Sequence, residues 1–266
     1  MRQQSTIQIN VRNVVIGGEK PLVCLPLMGE DREKLFLEAR ELQALEPDLL
    51  EWRIDGYEDV GNIDLVISSL RGLRRIIGDI PLIFTCRIHS EGGFKKISEE
   101  KRLELFAAAI ASDNIDLVDV ELCSGISFIE AVKKDVRVGG VKLILSYHNI
   151  IDTPGEAFIY SKLVEGQLTG ADIVKLAVMP RSYTDVLTLL SATNRARNER
   201  VELPIITMSM GRQGMISRLA GALFGSDITF AAGKKSSASG QIPLEDLRAG
   251  LELLFRSGEN DRLWSR

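Results

Sequence analysis

The sequence predicts an α/β protein in which residues 1–266 form a single (β/α)8 barrel, also called a TIM barrel. Three observations lead to this prediction. The length of 266 residues suits one large α/β domain. Short apolar runs alternate with segments of helical periodicity, a pattern typical of a parallel sheet. This unit repeats eight times, as barrel closure requires. An open doubly wound sheet is the alternative, but no dinucleotide glycine fingerprint or phosphate loop follows the first strand.

Each strand is predicted from an apolar, β-rich run, and each helix from the segment that follows it. The predicted strands are 22–27, 49–54, 82–88, 116–122, 141–147, 172–177, 205–210 and 227–231. The predicted helices are 31–45, 63–76, 99–112, 126–134, 157–168, 183–193, 213–224 and 244–255. Before them, residues 7–11 alternate in polarity and Gly17-Gly18 supplies a turn. We therefore expect residues 1–20 to form a β-hairpin that closes the N-terminal end of the barrel.

The composition restricts the class of partner. A formal net charge of -4 argues against nucleic acid or an anionic membrane. No apolar run reaches the ~18–20 residues of a membrane helix, and polar residues 1–12 do not resemble a signal peptide. Cys24, Cys86 and Cys123 show no metal-ligand spacing, and their odd number favours free thiols in a reducing cytoplasm. We expect no metal and no cofactor.

Lys175 lies in the middle of predicted strand 172–177. Lysine is rarely buried unless it is paired or functional. A desolvated amine loses proton affinity and becomes a nucleophile toward ketones. We expect burial and the like charges of Arg53 and Arg87 to outweigh the opposing charges of Glu51 and Glu91 and to depress the pKa of Lys175. The alternative is that Lys175 pairs with a carboxylate or extends past the strand end.

The inward face of the barrel carries the chemistry. Side chains of a strand alternate between faces, so parity groups residues that point the same way. The groups that share the inward face with Lys175 are Leu49, Glu51 and Arg53; Ile83, Thr85 and Arg87; Ile144, Ser146 and His148; Ile206, Met208 and Met210; and Ile228 and Phe230. In each group the apolar residue comes first, which places the charged residues at the C-terminal mouth, where barrel active sites lie. Core ion pairs explain any one of them, but not their common placement.

Three features near the mouth are less determined. Asp119 and Glu121 share one face of their strand, either inward as partners of Lys175 or an arginine, or outward against the helices. Gly92-Gly93 would allow the backbone to carry Glu91 over the mouth. Residues 233–241 are small, polar and flanked by glycine, a composition typical of a mobile lid and equally of a plain solvent loop.

Together these residues resemble the type I 3-dehydroquinate dehydratase family. The resemblance rests on residues 51–55, Arg87 with residues 91–93, residues 146–149, residues 175–177, Arg218, Phe230 and Gly240-Gln241. It extends from the second barrel strand to the last loop. One departure is Ser239, which stands where the lid of the family often has proline and bears on the stiffness of the lid.

The resemblance implies a lyase of the shikimate pathway that converts 3-dehydroquinate to 3-dehydroshikimate, as a cytoplasmic homodimer without cofactor. Lys175 would form a Schiff base with the substrate ketone, and His148 would act as general acid and base. Glu91 would orient His148 and assist proton transfer, and Arg218 would bind the substrate carboxylate. The further substrate-binding residues implied are Glu51, Arg53, Arg87, Met208, Met210, Phe230, Ser237 and Gln241.

Two other functions fit the same pattern of residues. A class I aldolase or transaldolase would also use a lysine imine, but it would bind a phosphate after the last two strands, where Lys234-Lys235 lies. A barrel that only binds a metabolite would tolerate loss of His148 or Lys175. Incubation with 3-dehydroquinate separates the three, because only the dehydratase produces a conjugated enone from it.

Overall fold

The structure, a computed structural model, describes residues 3–233 and 240–255. An antiparallel hairpin of β1 (Ile9–Val11) and β2 (Val14–Ile16) precedes the barrel. The barrel strands are β3 (Leu22–Leu27), β4 (Leu49–Arg53), β5 (Leu82–Thr85), β6 (Leu117–Glu121), β7 (Lys142–Asn149), β8 (Ile173–Val178), β9 (Ile205–Ser209) and β10 (Ile228–Phe230). The helices are α1 (Arg32–Gln43), α2 (Ile63–Ile77), α3 (Glu99–Ala111), α4 (Ile126–Gly139), α5 (Glu156–Leu168), α6 (Tyr183–Glu199), α7 (Met215–Ala220) and α8 (Leu244–Phe255).

The predicted (β/α)8 barrel is confirmed. Parallel hydrogen-bonded pairs connect β10 to β3 and then run in chain order to β9. The backbone N–H of Asp227, just before β10, donates to the carbonyl of Ile205 at the start of β9 (2.6 Å), so that the sheet nearly closes. The helix boundaries differ from prediction mainly at the C-terminal ends. Helix α4 continues past residue 134 because Val136 packs into the core, and it ends at Gly139, just before the cap residue Gly140, whose positive φ of 66° suits glycine.

Two apolar layers lie on the two faces of the sheet. Outside it, Trp52, Phe84, Phe106 and Phe128 form a series of edge-to-face contacts between strands and helices. Inside it, the first inward residue of each strand joins Ile9, Val11 and Ile16 of the hairpin. The hairpin therefore covers the N-terminal end of the barrel, as predicted. Among the described residues, no helix has the length and apolarity needed to cross a membrane.

Candidate active site

Lys175 points into the barrel from β8 and is buried, with 4% of its side chain exposed. Its Nζ lies 2.8 Å from Asp119 Oδ2 and 3.0 Å from Glu51 Oε1. On its third side Nζ lies 4.7 Å from the centre of the Phe230 ring, a cation–π distance. The alternative that Lys175 pairs with a carboxylate is thus observed, and it pairs with two.

These contacts overturn the expected pKa of Lys175. Burial lowers the pKa, but the charges of Asp119 and Glu51 raise it by more, and the net shift is above the ordinary lysine value. Arg87 opposes them with a smaller effect. The prediction of a depressed pKa was wrong because Asp119, whose orientation it left open, adds to Glu51, and the two together outweigh burial and Arg87. The resting side chain is an ammonium ion.

Asp119 and Glu121 both face inward, which settles the question that the sequence left open. Arg87 lies between them and donates from Nη2 to Asp119 Oδ2 (2.8 Å) and from Nη1 to Glu121 Oε1 (2.8 Å). Ser146 donates to Asp119 Oδ1 at 2.6 Å. Burial raises the pKa of Asp119, but Arg87 and Lys175 together hold it far below the usual aspartate range. The sequence contained a signal for this orientation that was missed. Leu117, Asp119 and Glu121 share one face, and the apolar residue comes first, as in the inward groups of the other strands.

Behind this row of charges, Glu121 also accepts a hydrogen bond from Arg102 of α3. Burial lowers the pKa of Arg87, yet Asp119 and Glu121 raise it well above the ordinary arginine value. Thr85 completes the group by donating to Glu51 Oε1 (2.9 Å). Each charged member of this group, Lys175, Glu51, Asp119, Glu121 and Arg87, therefore has an opposite charge in contact, as buried ions require.

His148 lies near the end of β7, the strand beside Lys175, and Ser146 stands opposite Lys175 in the register. Glu91 Oε2 accepts from the backbone N–H of His148 (2.8 Å) and lies 3.1 Å from Nδ1 of its ring. When Glu91 is ionised, Nδ1 donates this bond, and Nε2 is the nitrogen free to accept a proton. The predicted pairing of Glu91 with His148 is present in the geometry.

The loop after β5 explains how Glu91 reaches His148. The chain makes a single 3-10 turn, His89–Glu91, and then reverses through Gly92, whose φ is 90°. A Cβ on Gly93 would lie 2.1 Å from the carbonyl oxygen of Arg87, so only glycine fits there. The two glycines thus fold the loop back on the end of its own strand, with Glu91 buried inside.

Both His148 and Glu91 have shifted pKa values. Burial lowers the pKa of His148 well below its ordinary value, and the positive charges of Arg87 and Lys175 lower it further. Its imidazole is therefore neutral at pH 7. Burial raises the pKa of Glu91 to about 7, partly opposed by a hydrogen bond from the thiol of Cys123 (Sγ to Oε1, 3.0 Å). Cys123 lies in the 3-10 turn that follows β6, and no sequence pattern predicted its contact with Glu91.

Arg218, on α7, is buried on the opposite side of the mouth. Its Nη1 lies 3.3 Å from the carbonyl oxygen of Phe230 and 3.6 Å from the sulfur of Met208. Among the described residues, Arg218 Nε has no hydrogen-bond partner and no carboxylate pairs with the guanidinium. Burial lowers the pKa of Arg218 to about 10. A buried guanidinium with unused donors is suited to a carboxylate ligand.

The remaining predicted residues lie around these two groups. Met208 and Phe230 are buried and Met210 is half-buried, all in the cluster inside the barrel. Arg53 lies at the end of β4 and is bound by Asp55. A Cβ on Gly240 would lie 2.0 Å from the carbonyl oxygen of Gly211, so the end of the predicted lid, with half-buried Gln241, packs beside the end of β9. Ser237, Ser239 and most of the lid 233–241 lie outside the described residues.

Comparison with known proteins identifies the family. A family profile described as type I 3-dehydroquinase matches residues 23–257. The chain belongs to this family. A 3-dehydroquinate dehydratase of Geobacillus thermodenitrificans is 45% identical over 249 residues, which cover 93% of this chain and 96% of that protein. One from Bacillus velezensis is 45% identical over 246 residues, covering 92% and 97%.

Solved structures of two 3-dehydroquinate dehydratases have the same fold. The 3-dehydroquinate dehydratase of Geobacillus kaustophilus matches with a TM-score of 0.92 at 43% identity and covers all of both chains. The type I enzyme of Clostridium difficile, solved with covalently modified comenic acid, matches with a TM-score of 0.91 at 42% identity and covers 95% and 99%. In the part of this chain that the structure describes, no three or more His, Cys, Asp or Glu side chains are grouped to hold a metal ion.

Proposed function

We propose that this enzyme dehydrates 3-dehydroquinate to 3-dehydroshikimate in the shikimate pathway through a Schiff base on Lys175. The observation that carries the proposal is the buried amine of Lys175 between two carboxylates, with the His148–Glu91 pair on the next strand. The names of the relatives support the choice of substrate. The same site would need no metal or organic cofactor for this chemistry.

The first step joins Lys175 to the substrate ketone. The ammonium group gives a proton to the neutral imidazole of His148, and the free amine adds to the carbonyl carbon to give a carbinolamine. The carbinolamine hydroxyl takes the proton back from His148 and leaves as water, so that a protonated imine remains. The iminium has the same charge as the resting ammonium. Asp119 and Glu51, at 2.8 and 3.0 Å, therefore stabilise the intermediate without any rearrangement of charge.

The second step is the elimination, and His148 performs both of its proton transfers. The neutral imidazole takes a proton from the carbon next to the imine, and the released electron pair forms an enamine. The enamine then expels the neighbouring hydroxyl, which leaves as water with the proton from His148. Because one imidazole serves both transfers, proton and hydroxyl leave from the same face, a syn elimination. A second water hydrolyses the imine and frees Lys175.

Substrate orientation would come from the opposite side of the mouth. Arg218 would bind the carboxylate through two parallel N–H donors of its guanidinium. Phe230, Met208 and Met210 would form an apolar wall. Hydroxyl groups would be bound by Glu51, Arg53, Arg87, Ser237 and Gln241. In this arrangement Glu91 holds the ring of His148 through Nδ1 and assists the proton transfers of imine formation and hydrolysis.

The test is chemical trapping. Borohydride added with 3-dehydroquinate should reduce the imine and fix the adduct on Lys175, as found by peptide mapping, while untreated enzyme releases a conjugated enone. Lys175→Met, which keeps the length of the side chain, should lose both adduct and turnover. An adduct on another lysine, or none, would refute the imine mechanism. Cleavage of a sugar phosphate without enone formation would point to the aldolase.

We further propose that the enzyme is a homodimer in the cytoplasm that binds neither nucleic acid nor membrane. The family resemblance supports the dimer, and the net charge of -4 supports the absence of polyanionic partners. Sedimentation equilibrium tests the first point, since a monomer mass at micromolar concentration would contradict it.

A further inference from the structure

Asp55 lies just behind the proposed active site, and the proposed function gives it no role. It follows β4 in the 3-10 turn Ile54–Gly56 and is fully buried. Its Oδ1 accepts from Arg53 Nε (2.9 Å) and from the backbone N–H of Arg87 (3.3 Å). Its Oδ2 accepts from Arg53 Nη2 (2.9 Å) and from the backbone N–H of Phe94 (3.0 Å). Each oxygen therefore receives one bond from a guanidinium and one from the backbone.

The first consequence concerns Arg53. Two parallel bonds to one carboxylate fix the plane of a guanidinium. Nη2 also donates to the carbonyl of Gly92 (3.3 Å), and the guanidinium carbon lies 5.2 Å from the centre of the Phe94 ring. Within the described residues, Nη1 is left without an acceptor. Asp55 thus holds Arg53 by one edge and leaves the other edge for a ligand.

The second consequence concerns the loop that carries Glu91. The two backbone N–H groups bound by Asp55 belong to Arg87 and Phe94, which lie at the two ends of that loop. The loop closes tightly, because the N–H of Gly93 donates to the carbonyl of Ile88 at 2.9 Å. Asp55 therefore ties both ends of the segment whose middle residue, Glu91, contacts His148.

We propose that Asp55 is a positioning residue that sets Arg53 for the substrate and Glu91 against His148. It touches no reacting atom and acts through these two residues. The inference rests on the proposed function, because it assigns a task within that reaction. Asp55 connects the ends of β4 and β5, so that one buried carboxylate fixes the position of Arg53 relative to that of Glu91.

The test compares Asp55→Asn with the matched variant Asp227→Asn at the other end of the barrel. Asp227 is also fully buried and accepts from Arg197 Nη2 (2.5 Å), the N–H of Ile205 (2.6 Å) and Ser5 Oγ (3.0 Å). Both variants should lower the melting temperature. Only Asp55→Asn should lower kcat/KM for 3-dehydroquinate, by about 10- to 100-fold, because small misplacements of catalytic groups are costly.

A double-variant cycle separates positioning from general loss of structure. In an Arg53→Met background, Asp55→Asn should reduce kcat/KM by a smaller factor than in the wild type, because part of its task is already gone. Equal factors in both backgrounds, or a kcat/KM within twofold of wild type in Asp55→Asn, would overturn the inference. If Asp55→Asn does not fold, the same kinetic measurements are made on Asp55→Ser, which has a smaller side chain that still accepts a hydrogen bond. The same outcomes then decide the inference. Absence of turnover in the wild-type enzyme would instead refute the proposed function.

Discussion

The two sides of the barrel mouth differ in whether their buried cations are paired with carboxylates. On the side formed by β4 to β8, Arg87 and Lys175 each contact two carboxylates. On the side formed by β9, α7 and β10, Arg218 is equally buried, but among the described residues no carboxylate pairs with it. Consequently the pKa of Arg87 is raised by its partners in spite of burial, whereas burial alone lowers the pKa of Arg218 to about 10.

This contrast indicates which charge on the substrate each side is suited to bind. The paired side is electrostatically complete, so it can hold a cationic imine in place of the lysine ammonium with no further ion. The unpaired side is incomplete until an anion arrives. A charge buried without a partner reduces stability, and functional sites commonly retain such a cost. In the proposed mechanism the reactive carbon lies at the complete side and the substrate carboxylate at the incomplete one.

The largest effect should follow from removing the proton carrier on the paired side. In His148→Ala the lysine and the ketone can still combine, but the elimination should slow by ~10²–10⁴. An intermediate upstream of a blocked step accumulates. Borohydride should therefore trap at least as much adduct as in the wild type, and intact-mass spectra should show mainly the undehydrated substrate.

Lys175→Met is the control for this experiment, because it should show neither adduct nor turnover. If His148→Ala instead kept near-normal turnover and trapped only the dehydrated form, His148 would not be the base. Glu91, the next titratable group, would then be the candidate.

Stability measurements should separate the two arginines directly. Arg87→Met leaves Asp119 and Glu121 buried with one cation fewer, and breaking such a pair typically costs about 3–5 kcal/mol. Arg218→Met removes an unpaired buried charge and should leave the free energy of unfolding unchanged or higher. Denaturant unfolding of both variants measures the difference. Equal losses in the two would show that Arg218 has a structural partner comparable to that of Arg87.

Substrate binding should show the reverse pattern. Arg218→Lys keeps the charge but loses the planar fork, and we expect binding to weaken by roughly 1.5–3 kcal/mol, the range for a hydrogen bond to a charged group. The Michaelis constant for 3-dehydroquinate, with trapping to confirm that the imine still forms, measures this change. An unchanged Michaelis constant and rate would place the substrate carboxylate elsewhere.

Periodicity was sufficient to predict the barrel and the inward face. Alternation along each strand placed Glu51, His148 and Lys175 in one mouth, and the structure agrees because parity is a strict property of strands. Arg87 was predicted in the same way but lies two residues past the end of β5, where its bonds to Asp119 and Glu121 hold it at the mouth. Helix ends were less predictable. The last turns of α4 and α6 are fixed by the buried contacts of Val136 and Ala196, which appear only when the sheet and helices pack together.

Electrostatic detail was the part that the sequence could not supply. The sign of the Lys175 pKa shift depends on whether two carboxylates or two arginines lie nearer, and spacing along the chain does not give that distance. The bond from Cys123 to Glu91 joins two turns that are 32 residues apart, and no periodic pattern extends into turns. Ser237 was inferred from the resemblance alone, and its position lies outside the described residues.

The smallest expected effect concerns how Cys123 tunes the pH profile. Glu91 must be ionised to accept from His148 Nδ1, and its pKa is about 7, so kcat/KM should fall as pH decreases through that value. Around Glu91, the charge of Glu121 raises this pKa, whereas the Cys123 thiol, Arg87 and the N–H of His148 lower it. Cys123→Ala removes one lowering contact and should move the acidic limb to higher pH. Cys123→Ser keeps a donor and should leave the limb near its wild-type position.

The contribution of Glu91 to the pH dependence of stability should have the opposite sign to its effect on activity. Because the folded state raises the pKa of Glu91 from 4.5 to about 7, its contribution to stability is fully present below 4.5 and is lost as pH rises through about 7. Protonation of Glu91 therefore does not itself destabilise the fold, whereas His148, whose pKa is lowered on folding, contributes a loss of stability as pH falls. Measurement of kcat/KM and of the free energy of unfolding between pH 5 and 9, in wild type, Cys123→Ala and Cys123→Ser, tests both trends. An acidic limb at the same pH in all three proteins would mean that the thiol does not act on Glu91.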